Sequence, residues 1–108
     1  MLQFKYYELT ERQRSILLKV WAMSEADPNG VVSFEDLRDE TGEPNLMSTL
    51  NVLKRQHKAI AIQKVRDNVH NAEVGTYIWA TVSRAEIINQ INGLVRQIRE
   101  TYKEKTAV

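Results

Sequence analysis

Ser48, Asn51 and Arg55 recur within the segment TGEPNLMSTLNVLKRQHK, residues 41–58, at spacings that place them on one side of a helix. Their chemistry suits the edges of nucleic-acid bases. A serine hydroxyl and an asparagine amide both donate and accept, and asparagine matches adenine in two bonds. Arginine reaches a guanine edge or a phosphate. Asn45 stands where a helix would begin, with free amides that favour a phosphate oxygen. Met47 and Val52 share the outward side and are expected to be exposed, able to meet a thymine methyl, the neighbouring hairpin or a partner protein. Lys54, Lys58, Lys64 and Arg66 are candidates for phosphate contacts, and Asn68, His70 and Asn71 for contacts from a hairpin tip. The plainer reading is a solvated helix face and a polar loop, where the same residue types are common.

Other chemistries find little support. His57 and His70 stand alone, without cysteine and without carboxylates at ligand spacing, so no metal site is expected. The pairs Glu35-Asp36 and Asp39-Glu40 read as a solvated acidic face rather than as general acids and bases. No nucleophile triad, phosphate-cradling glycine loop or cofactor motif stands out, and no enzyme activity is expected.

Elements must hold the outward face in place. Thr10 with Gln13 forms a capping box, and Ile16, Leu17, Val20 and Trp21 follow at helical spacing as far as Asp27. Val31 and Val32 suit a short strand. Ser33 caps a second helix, with Phe34 and Leu37 as its apolar side and Gly42 as its end. The third helix runs from Asn45, as N-cap, to about Gln56, and Leu46, Leu50 and Leu53 form its buried stripe. Ile60 and Ile62 alternate as a strand, Asp67 to Gly75 is a polar tip, and TYIWATV returns as a second strand. Ser83 with Glu86 opens a last helix, Arg84 to about Lys103. The expected class is mainly α with a small β-hairpin, an α+β arrangement in a single domain over residues 1–108.

The 108 residues suit one domain. No apolar run is long enough for a membrane span, and the N-terminal apolar residues are broken by Gln3, Lys5 and Glu8, which argues against a signal peptide. Together with the lack of cysteine, this leads to the expectation of a cytoplasmic protein, bacterial, archaeal or viral, without membrane contact. Net charge is only +1, but it is unevenly spread. Between residues 25 and 43 seven acids face one arginine; between 44 and 66 five cations face no acid. Folding can separate these blocks into faces.

The order of elements, and the segments LTERQRSILLKVW, VVSFEDLRDETGEPNLMSTLNVLKR and GTYIWATVSRAEI, resemble the winged helix-turn-helix domains of penicillinase-repressor-type and MarR-type transcriptional regulators. The resemblance covers about residues 9–100, in pattern rather than in a diagnostic motif. The opening helix is also similar to that of the N-terminal winged helix of phage replication proteins. The resemblance implies a winged-helix core over residues 9–82, a recognition helix at 45–56, a wing between the two strands, and a C-terminal dimerisation helix over residues 83–104. Two features depart from it. No glycine follows the third helix, so His57, Lys58 or Ala59 must make that turn, and the second helix is unusually acidic.

The last helix carries its own signal. Ile88, Ile91, Val95, Ile98 and Tyr102 keep a heptad seam, which Ile87 and Leu94 widen. Gly93 in mid-helix suggests the close approach of another helix. A homodimer joined here is expected; the bland alternative is a helix that covers its own core with Phe4, Tyr6 and Tyr7. The resulting expectation is a sequence-specific binder of double-stranded DNA, a homodimeric transcriptional regulator. The alternatives are a winged-helix protein-interaction module, docking through the acidic helix 34–41, and a phage or plasmid replication accessory protein.

Overall fold

A computed structural model describes residues 4–67, 69, 70 and 72–106. Within them the chain forms four α-helices and a three-stranded antiparallel sheet: α1 (Glu11–Ala26), β1 (Val32–Ser33), α2 (Phe34–Thr41), α3 (Leu46–Arg55), β2 (Ile60–Asp67), β3 (Ala72–Ala80) and α4 (Arg84–Thr106). A 3-10 turn, Tyr6–Glu8, precedes α1. The α+β class is as expected.

Local chemistry sets most boundaries. Thr10 and Gln13 make both bonds of the capping box, at 3.2 and 3.0 Å. The Ser33 hydroxyl accepts from the Asp36 amide at 3.1 Å. Gly42 ends α2 at φ 63°, a left-handed conformation that costs glycine nothing sterically. The Ser83 hydroxyl accepts from the Glu86 amide at 3.2 Å at the start of α4.

The sheet order is β1-β3-β2. Val32, Ile78 and Ile62 lie side by side across the three strands, on the face packed against the helices. The first strand is Val32–Ser33 rather than Val31–Val32: Val32 pairs with Ile78 and Ser33 with Tyr77, while the Val31 amide donates to the Asp27 carboxylate. The hairpin is longer than its polarity suggested. Pairing continues past a bulge at Val65/Arg66 to Arg66–Glu73 and Asp67–Ala72, because ladder bonds use backbone groups and tolerate polar side chains.

The core joins Ile16, Leu17 and Val20 of α1, Leu37 of α2, Leu46, Leu50 and Leu53 of α3, Ile60 and Ile78 of the sheet, and Ile87 of α4. Its polar exception, Ser24, donates its hydroxyl to the Trp21 carbonyl. One side of α4 covers this core. Gln90 fastens the N-terminal segment there, donating to the Phe4 carbonyl at 2.7 Å and accepting from the Tyr6 amide. Beyond Leu94 every side chain from Val95 to Lys103 is exposed, so the second half of α4 projects from the body. The molecule measures 71 Å along its long axis and 27 Å across. Its radius of gyration is 17.1 Å, against about 13 Å for a compact chain of this length. No described helix is long and apolar enough to cross a membrane.

Candidate nucleic-acid interface

The α3 wheel is as the leucine spacing demands. Leu46, Leu50 and Leu53 are buried and dock the helix; Ser48 and Arg55 are exposed on the opposite side, with Asn51 half-buried beside them. Met47 and Val52, expected to be exposed, are half-buried on the two flanks of this face. They border the polar row instead of standing proud of it. Asn45 occupies the N-cap position, but its side chain makes no capping bond, at φ −114° and ψ 38°. Its carbonyl accepts from the Thr49 amide at 3.3 Å.

After α3 the chain must turn sharply into β2 without a glycine. Lys58 makes the turn, at φ 54°, the one positive φ outside glycine among the described residues. The turn is tied on both sides: the Ala59 amide donates to the Leu53 carbonyl at 3.0 Å, and the Thr81 amide to the Ala59 carbonyl at 2.9 Å. Sequence reasoning named three candidates for this position but had no means of choosing among them. Thr81, which stabilises the turn, gave no signal at all.

Along β2, Ile60, Ile62, Lys64 and Arg66 alternate onto one strand face. That face starts in the core and ends in two exposed cations. Lys64 lies across from Thr76 and Arg66 across from Glu73. Asn68 and Asn71, proposed at the tip, fall outside the described residues. His70 is exposed, but its Nδ1 is held by the Asp67 carboxylate at 2.7 Å. That bond, followed by the Val69 amide, holds the Asp67 carboxyl below its ordinary value of 3.8. His70 therefore serves the hairpin turn with one ring nitrogen.

Glu40 pairs with Lys19 at 3.3 Å and Glu43 with Arg12 at 3.2 Å, so these two acids turn toward α1. Arg38 lies 4.0 Å from Asp39 and over the Phe34 ring. Lys54, Arg55, Lys58, Lys64 and Arg66 are all exposed, and none of the first four makes an ion pair with a described side chain. Exposed pairs add little stability, but they show which charges are already answered within the chain.

The seam proposed on α4 divides. Ile87 is 2 % exposed and belongs to the domain's own core, and Ile91 and Leu94 pack against that core. Ile87 is therefore withdrawn as a partner contact, because burial within its own domain leaves nothing to offer. Ile88, Val95, Ile98 and Tyr102 are exposed. Within the chain itself nothing approaches Gly93: it lies off the seam, and a Cβ there would meet nothing within 4 Å. Phe4 and Tyr6 do pack on the core as the alternative reading had it, while Tyr7 is exposed.

No three His, Cys, Asp or Glu side chains gather as a metal site among the described residues. A groove of about 440 Å³ lies between the start of α2 and β3, lined by Ser33, Phe34, Glu35, Gly75, Thr76 and Tyr77, without a nucleophile–base pair. Compared with protein-family models, curated proteins and solved structures, the chain matches none.

Proposed function

We propose that this chain is a winged helix-turn-helix protein that binds double-stranded DNA sequence-specifically as a homodimer, and that it acts in the cytoplasm as a transcriptional regulator. α3 is the recognition helix and the β2–β3 hairpin the wing. The observation that carries the reading is the set of five exposed cations, Lys54 and Arg55 at the end of α3, Lys58 in the turn that follows, and Lys64 and Arg66 on β2, with no acid in the sequence between residues 44 and 66. Docked by its three leucines, α3 turns that face to the major groove, where Asn51 and Arg55 meet base edges. Lys54 and Lys58 at its C-terminal end, with Lys64 and Arg66 on the wing, neutralise phosphates. Glu40 and Glu43 are drawn toward α1 by Lys19 and Arg12, which lessens the repulsion that the acidic α2 would exert on DNA.

Selection on random duplex DNA tests binding, sequence preference and palindromy together. The reading expects a recovered half-site repeated in inverted orientation. It fails if Arg55→Ala and Lys64→Ala both leave duplex binding unchanged at low salt.

One observation favours a second reading. Glu35, Asp36 and Asp39 form an exposed acidic face on α2 that could dock a basic protein. Absence of any duplex shift at micromolar protein and low salt would favour that module.

A further inference from the structure

Half of the large apolar side chains exposed among the described residues lie on one helix. They are Ile88, Val95, Ile98 and Tyr102, against Tyr7, Val65, Val69 and Val74 scattered elsewhere. With Ile91 they keep intervals of 3, 4, 3 and 4 residues, the a and d positions of a coiled coil. The seam outlasts the body's cover, for beyond Leu94 every side chain as far as Lys103 is exposed. A soluble chain seldom leaves such a stripe open.

The charges along α4 bear on what covers it. From Arg84 to Val95 the helix carries only Arg84 and Glu86 and is neutral; from Arg96 to Lys103, three cations face Glu100. Two copies side by side in parallel would set basic half against basic half. In antiparallel order each basic half lies along a neutral one, and the helix dipoles oppose. The seam is also self-complementary when reversed. Centring the pair on residue 93 stacks Ile88 on Ile98 and Ile91 on Val95, each twice, and brings Tyr102 level with Arg84 of the other copy. We infer that the α4 helices of two copies pair as an antiparallel coiled coil. This rests on the homodimer reading above and deepens it. The paired stretch, Arg84 to Tyr102 on each copy, is about 28 Å long at 1.5 Å per residue.

The chain contains no cysteine, so an introduced one reports without interference. Asn92→Cys and Glu100→Cys, each spin-labelled singly off the seam, would be measured without DNA, after sedimentation has established the mass. Antiparallel pairing offsets the two copies along the axis by about 3 Å at position 92 and about 21 Å at position 100. The expected result is a dimer with a short distance at 92 and a clearly longer one at 100. Equal short distances at both positions would show a parallel pair and overturn the inference while leaving the dimer intact. A monomer at both positions, at concentrations of about 100 times a micromolar Kd, would overturn both. Ile98→Lys, which leaves the body's core untouched, should shift the dimer to monomer without lowering the helicity of the body. Since none of these readouts involves DNA, failure of the DNA-binding reading would appear separately, as an antiparallel dimer that does not shift a duplex.

Discussion

The Thr81 hydroxyl donates to the Lys58 carbonyl at 2.7 Å, across 23 residues of chain. This bond closes the exit from α3 against the end of β3. It holds a lysine in a backbone conformation that costs an L-residue about 1–2 kcal/mol. The position combines backbone strain with a proposed phosphate contact, and the two can be separated. Lys58→Gly should raise stability by about 0.5–1 kcal/mol, the relieved strain outweighing the added freedom of the unfolded chain. It should also weaken duplex binding and reduce the salt slope by about 0.9. Lys58→Ala should weaken binding similarly without the gain in Tm. Equal Tm changes for the two variants would contradict this.

On the outward face of α3, Asn51→Ala and Arg55→Ala should each weaken binding to the selected site by about 1–3 kcal/mol and relax preference at one base position. Both leave the leucine stripe alone, so the melting temperature should stay close to that of the parent. A uniform loss across all duplexes would instead mark the residue as a phosphate contact.

Leu50 is fully buried between Leu46 and Leu53 on the docking side of α3. Leu50→Ala removes that packing and leaves a cavity, so denaturant unfolding should show a loss of about 2–5 kcal/mol. A change under 1 kcal/mol would mean that α3 is not docked by this stripe.

Gly93 is helical and exposed, and a Cβ there meets open space. Gly93→Ala should therefore stabilise α4 by about 1 kcal/mol. Because the position lies off the seam, the dimer dissociation constant should not worsen. A fall in dimer affinity would place a helix contact at Gly93 after all.

At the hairpin tip, the His70 ring and then the Val69 amide lower the Asp67 carboxyl pKa. A carboxyl with a depressed folded pKa supports the folded turn fully above its unfolded value, 3.8, and loses that support as pH falls through the lower folded value. NMR titration should therefore place the Asp67 midpoint below 3.8, with the His70 amide shift following it. A midpoint at or above that value would rule out the Asp67–His70 bond in solution.

Local signals in the sequence determined much of this molecule. The capping pairs Thr10–Gln13 and Ser33–Asp36, the leucine stripe of α3 and the left-handed Gly42 were all legible, because each depends on neighbours within a turn or two of helix. So was the class of the fold. What the sequence could not decide depended on contacts between distant parts. Lys58 takes the left-handed turn with Thr81 closing over it, and the hairpin extends through backbone pairing that polar side chains do not announce. Glu40 and Glu43 turn toward α1 only because Lys19 and Arg12 lie within reach there. The heptad spacing of α4 made Ile87 and Ile98 look alike. Packing buried the first in its own core and left the second on a projecting helix, since periodicity defines a face but not what meets it.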